Sequence, residues 1–529
     1  MRNREIVAGF GVLLVLVTAP AAQVPTSLAA RVEAVMARPE FRHSVFGIEF
    51  LSLDDNTPIY THNAEMFFVP GSTTKLVTMG SAMKLLGADY RFRTRVYRTG
   101  ELADNGILHG DLVLVASGDP NLSGRIRAGD RLAFENVDHT YGGTDSHGLE
   151  GDPLAVIRKL AASVASKGVK RIDGRVIVDA SLYPEGEREG GTDFVISPLM
   201  VNDNAVDVVV KPGDAEGAPA VLDVSPITSY ARIVNHVVTA APNTEVDVHV
   251  GSDTVAGDGT RTVTYTGRIP AGAKPMMSAY RVPEPSRFGE VVLAEALHEQ
   301  GVVASARLYE DKPDFPQLAP TYSPERILAE HVSPPLSEEV KVTLKVSHNL
   351  HASSMPYLLG AVMAHKSTDA AGFSEIKKLL STTGADISGA SQSDGAGANA
   401  HFTPAFMAGF LAYMAKQPFA QTFSDALPIL GRDGTLWNVQ TASKAAGHVH
   451  AKTGTYLVGD SLHDTVMVTG KGLAGYVTTA NGRRLAFAVF VNNVALHDGA
   501  SVTPVVGNAL GEIAAAAYDA TLARGSRSR

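Results

Sequence analysis

Residues 70–87 read Pro70-Gly71-Ser72-Thr73-Thr74-Lys75-Leu76-Val77-Thr78-Met79-Gly80-Ser81-Ala82-Met83-Lys84-Leu85-Leu86-Gly87. A Pro-Gly opening, an apolar helical body and a closing glycine mark the start, run and stop of a helix. Ser72 falls in the first turn of that helix. Residues three apart are neighbours on a helix, so the Lys75 ammonium reaches the Ser72 hydroxyl. Burial and a second nearby cation would depress the lysine pKa until its free amine accepts the serine proton. The first turn also offers unpaired backbone N–H groups and the positive end of the helix dipole, which favour an oxyanion.

The Ser-x-x-Lys spacing is weak alone, since it recurs at Ser81/Lys84 and Ser374/Lys377. At about 100° per residue, Ser81 faces nearly opposite to Ser72 on the same helix, so only one of the two can face a cleft. Two further motifs each occur once and follow in order: Ser347-His348-Asn349 and Lys452-Thr453-Gly454. Ser374 lies beyond the first of these and has only the Lys452 element left to complete a set.

Upstream, Phe46–Leu53 is mostly apolar and ends at Asp54-Asp55-Asn56, a buried strand meeting a turn. Between 93 and 335 the chain changes to short β-rich runs broken by Gly, Pro and Asp, such as Leu112–Val115, Arg175–Val178, Ala205–Val210, Val246–Val250 and Thr262–Thr266. Asp214–Pro219 reads as an exposed turn. Helical patterns return at Asn349 to about His365 and at Thr403 to Lys416. Two apolar strands, Gly475–Thr479 and Leu485–Val491, then flank Ala480-Asn481-Gly482, and a last helix is expected from about Val505 to Ala523. A strand, a helix, a long insertion, more helices and closing strands describe a catalytic unit split in sequence. Tyr90-Arg91-Phe92-Arg93 is expected as an alternating strand with exposed arginines.

The N-terminus orders two cations, an apolar run from about Ile6 to Val17 and small residues to Ala22, which is the layout of a secretory signal peptide over residues 1–21. That run is short of the about 20 apolar residues a membrane span needs. The exported chain is expected to be soluble or peripheral at the membrane, in the periplasm or outside the cell. A chain of 529 residues exceeds one hydrophobic core. With no cysteine it has no disulfide framework and no thiolate metal site. A net charge of −9 without a basic run gives nucleic acid nothing to bind. His348 and His351 have helical spacing but no third ligand of matching character in the sequence, so they are expected on a solvated helix face rather than at a metal.

The ordered motifs resemble those of penicillin-recognising serine enzymes. Flanking stretches narrow the resemblance to the penicillin-binding protein 4 family of D-alanyl-D-alanine carboxypeptidase/endopeptidases. They include Gly87–Thr94, Gly118-Asp119-Pro120-Asn121-Leu122, Gly174–Asp179, Val201-Asn202-Asp203-Asn204, Asp394-Gly395-Ala396-Gly397, Ala451–Thr455 and Leu473–Val477. Ser347 lies 275 positions beyond Ser72, and family members carry two accessory domains inserted there. The resemblance implies an α/β (α+β) serine β-lactamase/DD-peptidase-like catalytic domain from 22–92 and 336–529. It also implies β-rich accessory domains at 93–195 with 280–335 and, nested within, 196–279. Ser72 would be the nucleophile and Lys75 its base. Ser347 would relay a proton to the leaving amine, Lys452 would hold the local field, and Asn349 would bind the substrate amide. Thr453 and Thr455 would meet the substrate carboxylate, with Gly454 on the strand between them, and the Ser72 and Thr455 N–H groups would form the oxyanion hole. The implied partners are peptidoglycan stem peptides, with β-lactams as inhibitors; no cofactor or metal is implied.

Three departures stand out. Asp394-Gly395-Ala396-Gly397-Ala398-Asn399 replaces the usual Asp-Gly-Ser-Gly-Leu-Ser, no acid closely follows Asn349, and about ten extra residues separate Thr455 from Gly475. The extra segment, Gly459–Gly472, is expected either as a flap over the cleft or as a hairpin projecting into solvent. A serine β-lactamase or esterase on the same fold is one alternative function. The class A deacylation step needs a glutamate, and the nearest candidate, Glu375, is followed by Ile-Lys-Lys-Leu, so hydrolysis of bound penicillin should be slow. A non-catalytic peptidoglycan-binding protein is another alternative, but a binder has no need of the nucleophile, base and supporting motifs.

Overall fold

The structure is a computed structural model that describes residues 27–520; the leader expected over residues 1–21 lies outside them. Its central sheet joins the two ends of the chain. The strands are β1 (Val45–Ser52), β2 (Pro58–His62), β3 (Val449–Asp460), β4 (Thr465–Thr478), β5 (Arg484–Asn492) and β6 (Val494–Leu496). They run in the order β2-β1-β5-β4-β3, with β6 on β4. Val45 to Ser52 pair antiparallel with Asn492 to Leu485, so the first strand of the chain is closed by nearly the last.

Both faces of this sheet are covered at its centre, which is why β1 and β5 are apolar almost throughout rather than alternating. Leu485, Phe487, Val489 and Val491 of β5 point to one side, where they join Phe46, Ile48 and Phe50. Helices α1 (Leu28–Met36) and α6 (Asn508–Asp519) seal that side through Val32, Val35, Leu510 and Ile513. Ala486, Ala488 and Phe490 point the other way, toward α2 (Thr74–Leu86) and α5 (Pro404–Met414). The period of two on a single strand thus feeds two cores. Helix α2 is buried all round from Thr74 to Met83, as a helix between a sheet and further helices must be.

The long insertion leaves and returns through paired strands. Arg93–Arg98 lies antiparallel to Ile327–Val332 in a four-stranded sheet completed by Leu112–Val115 and Val176–Asp179. Two further sheets follow, one built on Ala205–Lys211 and one on Ala231–Ala240, Asp247–Val255 and Arg261–Pro270. Val96, Leu114, Val178, Val206, Tyr265 and Phe288 share one continuous core across all three sheets. Residues 214–217 are exposed in a turn, as expected.

Several elements differ from their sequence expectation. The strand expected over Tyr90–Arg93 begins only at Arg93; Phe92 is buried, and Arg91 pairs with Asp130 at 2.9 Å. The last helix starts at Asn508 after a wider turn over Val502–Gly507, and its expected end near Ala523 lies outside the described residues. The strand expected from Gly475 begins ten residues earlier at Thr465, because the extra segment pairs with β3 as far as Asp460 opposite Thr465. No described helix is long and apolar enough to cross a membrane.

Candidate active site

A cleft of about 500 Å³ opens where the edge strand β3 meets the start of α2. Ser72, Ser347, Asn349, Thr453 and Thr455 line it, together with Tyr141, Gly191 and Lys471. Ser72 sits in a tight 3₁₀ turn, Gly71–Thr73, that runs directly into α2, slightly ahead of the helix turn the sequence implied. The competing serines are elsewhere. Ser81 is fully buried in α2, and Ser374 is exposed on the outer helix Asp369–Leu380.

Lys75 is the hub of the site. Its Nζ lies 2.7 Å from Ser72 Oγ, 2.6 Å from Asn349 Oδ1, 3.2 Å from the Ala396 carbonyl and 3.5 Å from Ser347 Oγ. Burial pulls its pKa down to about 7 against the opposing fields of Glu189 and Asp394, so a large fraction of the amine is free at neutral pH. Lys452 Nζ donates to Ser347 Oγ at 2.8 Å and to the Thr453 carbonyl at 2.8 Å. Burial, then Lys75 and Lys471, push its pKa well below the ordinary lysine value. A chain of donors and acceptors therefore runs Ser72–Lys75–Ser347–Lys452.

Strand β3 approaches the nucleophile turn closely enough to exclude a side chain. A Cβ on Gly454 would lie 2.0 Å from the Pro70 carbonyl oxygen and 3.0 Å from Ser72 N, so the glycine of Lys-Thr-Gly is a requirement of close packing. That contact sets the Ser72 and Thr455 backbones side by side. Thr453 Oγ1 is bonded to Thr435 Oγ1 at 2.8 Å.

Ser347 occupies the single left-handed residue (φ 65°) between α3 (Leu336–Val346) and α4 (Asn349–Met363). Its carbonyl accepts a 2.5 Å bond from Tyr141 Oη, a residue of the insertion. The expectation of a solvated face for His348 and His351 is corrected here, since both are buried and stack at 3.6 Å. Behind the Ser-His-Asn turn, Arg125 Nη2 holds Asp138 at 2.7 Å and Asp203 at 2.6 Å, and His139 bridges Asp203 and Asp207 at 2.7 and 2.6 Å. His351 meets Asp203 at 2.7 Å and Glu339 at 3.0 Å; burial alone would lower its pKa, but these two acids lift it to about 9. Two groups, Asp203/His348/His351 and Asp138/His139/Asp203, bring possible metal-ligand atoms within 4.8 Å of one another. Asp138 and Asp203 are already shared with the Arg125 guanidinium, so the cluster reads as a buried ion-pair network that fixes the turn.

Sequence reasoning missed several participants, Lys471 on β4 among them. The Asp394 loop was noted for its lost hydroxyls, yet its contribution is backbone: Asp394 gathers the Ala396 and Asn399 N–H groups at 2.8 and 2.5 Å, and the Ala396 carbonyl faces Lys75. Tyr141 and Glu189 come from the insertion, where no spacing ties them to the motifs. Asp203 stands in Val201-Asn202-Asp203-Asn204, whose three consecutive left-handed residues, Asn202 to Asn204, are a local signal of a special role. Glu375 pairs with Lys378 at 2.6 Å on the outer helix and does not line the cleft.

The fold and this cleft define a DD-peptidase-type serine enzyme with extra domains. The chain belongs to the D-Ala-D-Ala carboxypeptidase 3 (S13) family, whose model matches residues 28–515. It is 28% identical over 491 residues to a D-alanyl-D-alanine carboxypeptidase of an Actinomadura species, covering 88% of this chain and 81% of the relative. It is 25% identical over 470 residues to the D-alanyl-D-alanine carboxypeptidase DacB of Haemophilus influenzae, covering 84% and 85%. The crystal structure of penicillin binding protein 4 from Haemophilus influenzae superposes with a TM-score of 0.67 at 20% identity, over 91% of this chain and 98% of that one, and shares its fold.

Proposed function

We propose that this protein is a serine-type D-Ala-D-Ala carboxypeptidase/endopeptidase of peptidoglycan that works through an acyl-enzyme and is inhibited by β-lactams. The observation that carries the reading is the contact of Lys75 Nζ with Ser72 Oγ at 2.7 Å, with burial holding the amine near neutrality. The free amine takes the Ser72 proton as Oγ attacks the penultimate D-alanyl carbonyl. The Ser72 and Thr455 N–H groups receive the developing oxyanion, and Asn349 orients the substrate amide. Ser347, held by Lys452, passes a proton to the departing amine, and water then frees the acyl group from Ser72.

The family relationship supports the activity, and a relative crystallised with a β-lactam supports the inhibitor class; that structure has a TM-score of 0.64 and 21% identity. The position of Glu375 on the outer helix, paired with Lys378 and away from the cleft, favours slow release of bound penicillin over β-lactamase action. The leader-like N-terminus supports action outside the cytoplasm, where the polymer lies. Benzylpenicillin should add one mass to the wild-type protein and none to Ser72→Ala. A muropeptide pentapeptide should lose its terminal D-Ala and a cross-linked dimer should be cut to monomers. An adduct on the variant, or one mapping to Ser81 or Ser374, would sink the assignment.

A further inference from the structure

Lys471 stands on β4 directly opposite Thr455 on β3, and both line the cleft that holds Ser72. Its side chain is buried, with 6% of the residue exposed. Apart from Lys75 and Lys452, which the reaction uses, buried cations such as Lys345 and Arg125 have acids: Lys345 meets Asp433 at 2.7 Å, and Arg125 meets Asp138 and Asp203. Among the described residues Lys471 has no carboxylate within ion-pairing distance. A buried ammonium without a counter-charge is costly, and an apolar side chain of similar volume would fill the space without that cost.

The hydrogen bond it does make is informative. Lys471 Nζ donates to Thr455 Oγ1 at 2.6 Å. An ammonium has three N–H donors, so others are left over, and a hydroxyl that accepts from lysine still has its own proton to give. The pair therefore presents a positive charge and two kinds of donor to the leaving-group end of the cleft, next to the oxyanion position at Thr455. We propose that Lys471 is the carboxylate-recognition residue of this cleft, its ammonium and the Thr455 hydroxyl binding a carboxylate on the carbon that bears the leaving amine. Burial lowers its pKa to about 8, which leaves the ammonium form in the majority at neutral pH.

The inference rests on the peptidase reading and narrows its substrates. A terminal D-amino acid satisfies the site. So does a cross-link whose acceptor amine sits on a carbon with a free carboxylate. A cross-link through a plain side-chain amine gives Lys471 nothing to bind. A competing role is also defined, because Lys471 helps lower the pKa of Lys452 and could act through that field alone. Such an effect would fall equally on all leaving groups.

The test compares matched peptides ending in D-Ala-D-Ala as the free acid and as the C-terminal amide, in wild type, Lys471→Met and Lys471→Arg. Melting temperatures and Ser72 acylation by a carboxylate-free thioester serve as folding controls. Wild type should prefer the acid by about 10²-fold in kcat/KM, the scale of losing one partner of a buried charge pair. Lys471→Met should collapse the ratio toward one, and Lys471→Arg should restore most of it. Equal losses on both peptides in Lys471→Met, or an unmoved ratio, would overturn the inference while leaving the peptidase reading intact. If wild type hydrolyses neither peptide and Ser72 forms no acyl-enzyme, the peptidase reading fails and this one with it.

Discussion

Lys75 carries two consequences of one physical fact, its removal from water. Its amine titrates near pH 7 in the folded protein but at the ordinary lysine value of 10.5 when unfolded. The free base increases as pH rises through about 7, so the rate of Ser72 acylation should climb from pH 5 and level off above about 8. A flat profile over that range would remove Lys75 as the base. The linkage has a definite sign: between about 7 and 10.5 the unfolded chain binds a proton that the folded one has shed, so this group adds stability as pH rises and costs most below 7. A Lys75→Met variant removes that cost. Its melting temperature relative to wild type should therefore be more favourable at pH 6 than at pH 9, while its acylation falls by about 10²–10⁴. Thermal melts at the two pH values, beside acylation rates, check both halves.

At the scale of elements, the β3–β4 hairpin answers the question raised by the extra segment. It continues the sheet as a ribbon to Asp460 opposite Thr465, and β6 pairs with Val466–Val468. Tyr456, Leu457, Val458 and Leu462 are exposed on it, and the residues lining the cleft stop at Thr455 on one arm and Lys471 on the other. The ribbon thus projects from the site instead of covering it. Replacing residues 458–464 by a tight turn should leave the ratio of activities on cross-linked dimers and pentapeptides where it was in wild type. A rise confined to the dimer would restore the flap.

For the whole molecule, the insertion is a structural part of the site as well as an appendage to it. Arg125, Asp138, His139 and Asp203 of the insertion meet His348, which precedes α4, and His351 within it in one buried network, and Tyr141 holds the Ser347 carbonyl. Burial would raise the Asp203 pKa, yet Arg125 and the histidines hold it well below the usual carboxylate range. Removing the guanidinium strands two carboxylates away from water. Arg125→Met should cost about 3–5 kcal/mol in denaturant unfolding, the range for a broken buried ion pair. A loss no larger than the about 1 kcal/mol of a surface pair would show that water compensates the acids and that the network does not anchor the turn.

What the sequence determined by itself was local. Helical spacing put Lys75 beside Ser72, apolar density gave β1 and β5, and three short motifs in order, with their flanking stretches, gave the family resemblance. Each of those signals depends on spacing along the chain, which is where secondary structure is encoded. What only the tertiary structure decided was which polar groups meet across hundreds of positions and which of them leave water. His348 and His351 read as a solvated pair because their partners Asp203 and Glu339 lie far off in the sequence or on another helix. Gly470-Lys471-Gly472 closes the segment expected as a flap or a hairpin, and glycine on either side of the lysine weakens strand propensity. In the fold, Cβ atoms at those glycines would press on Val69 and Pro70, so the strand needs them, and Lys471 between them is delivered into the cleft. Burial of a charge is a property of its surroundings, and those surroundings exist only once the two ends of the chain have closed one sheet.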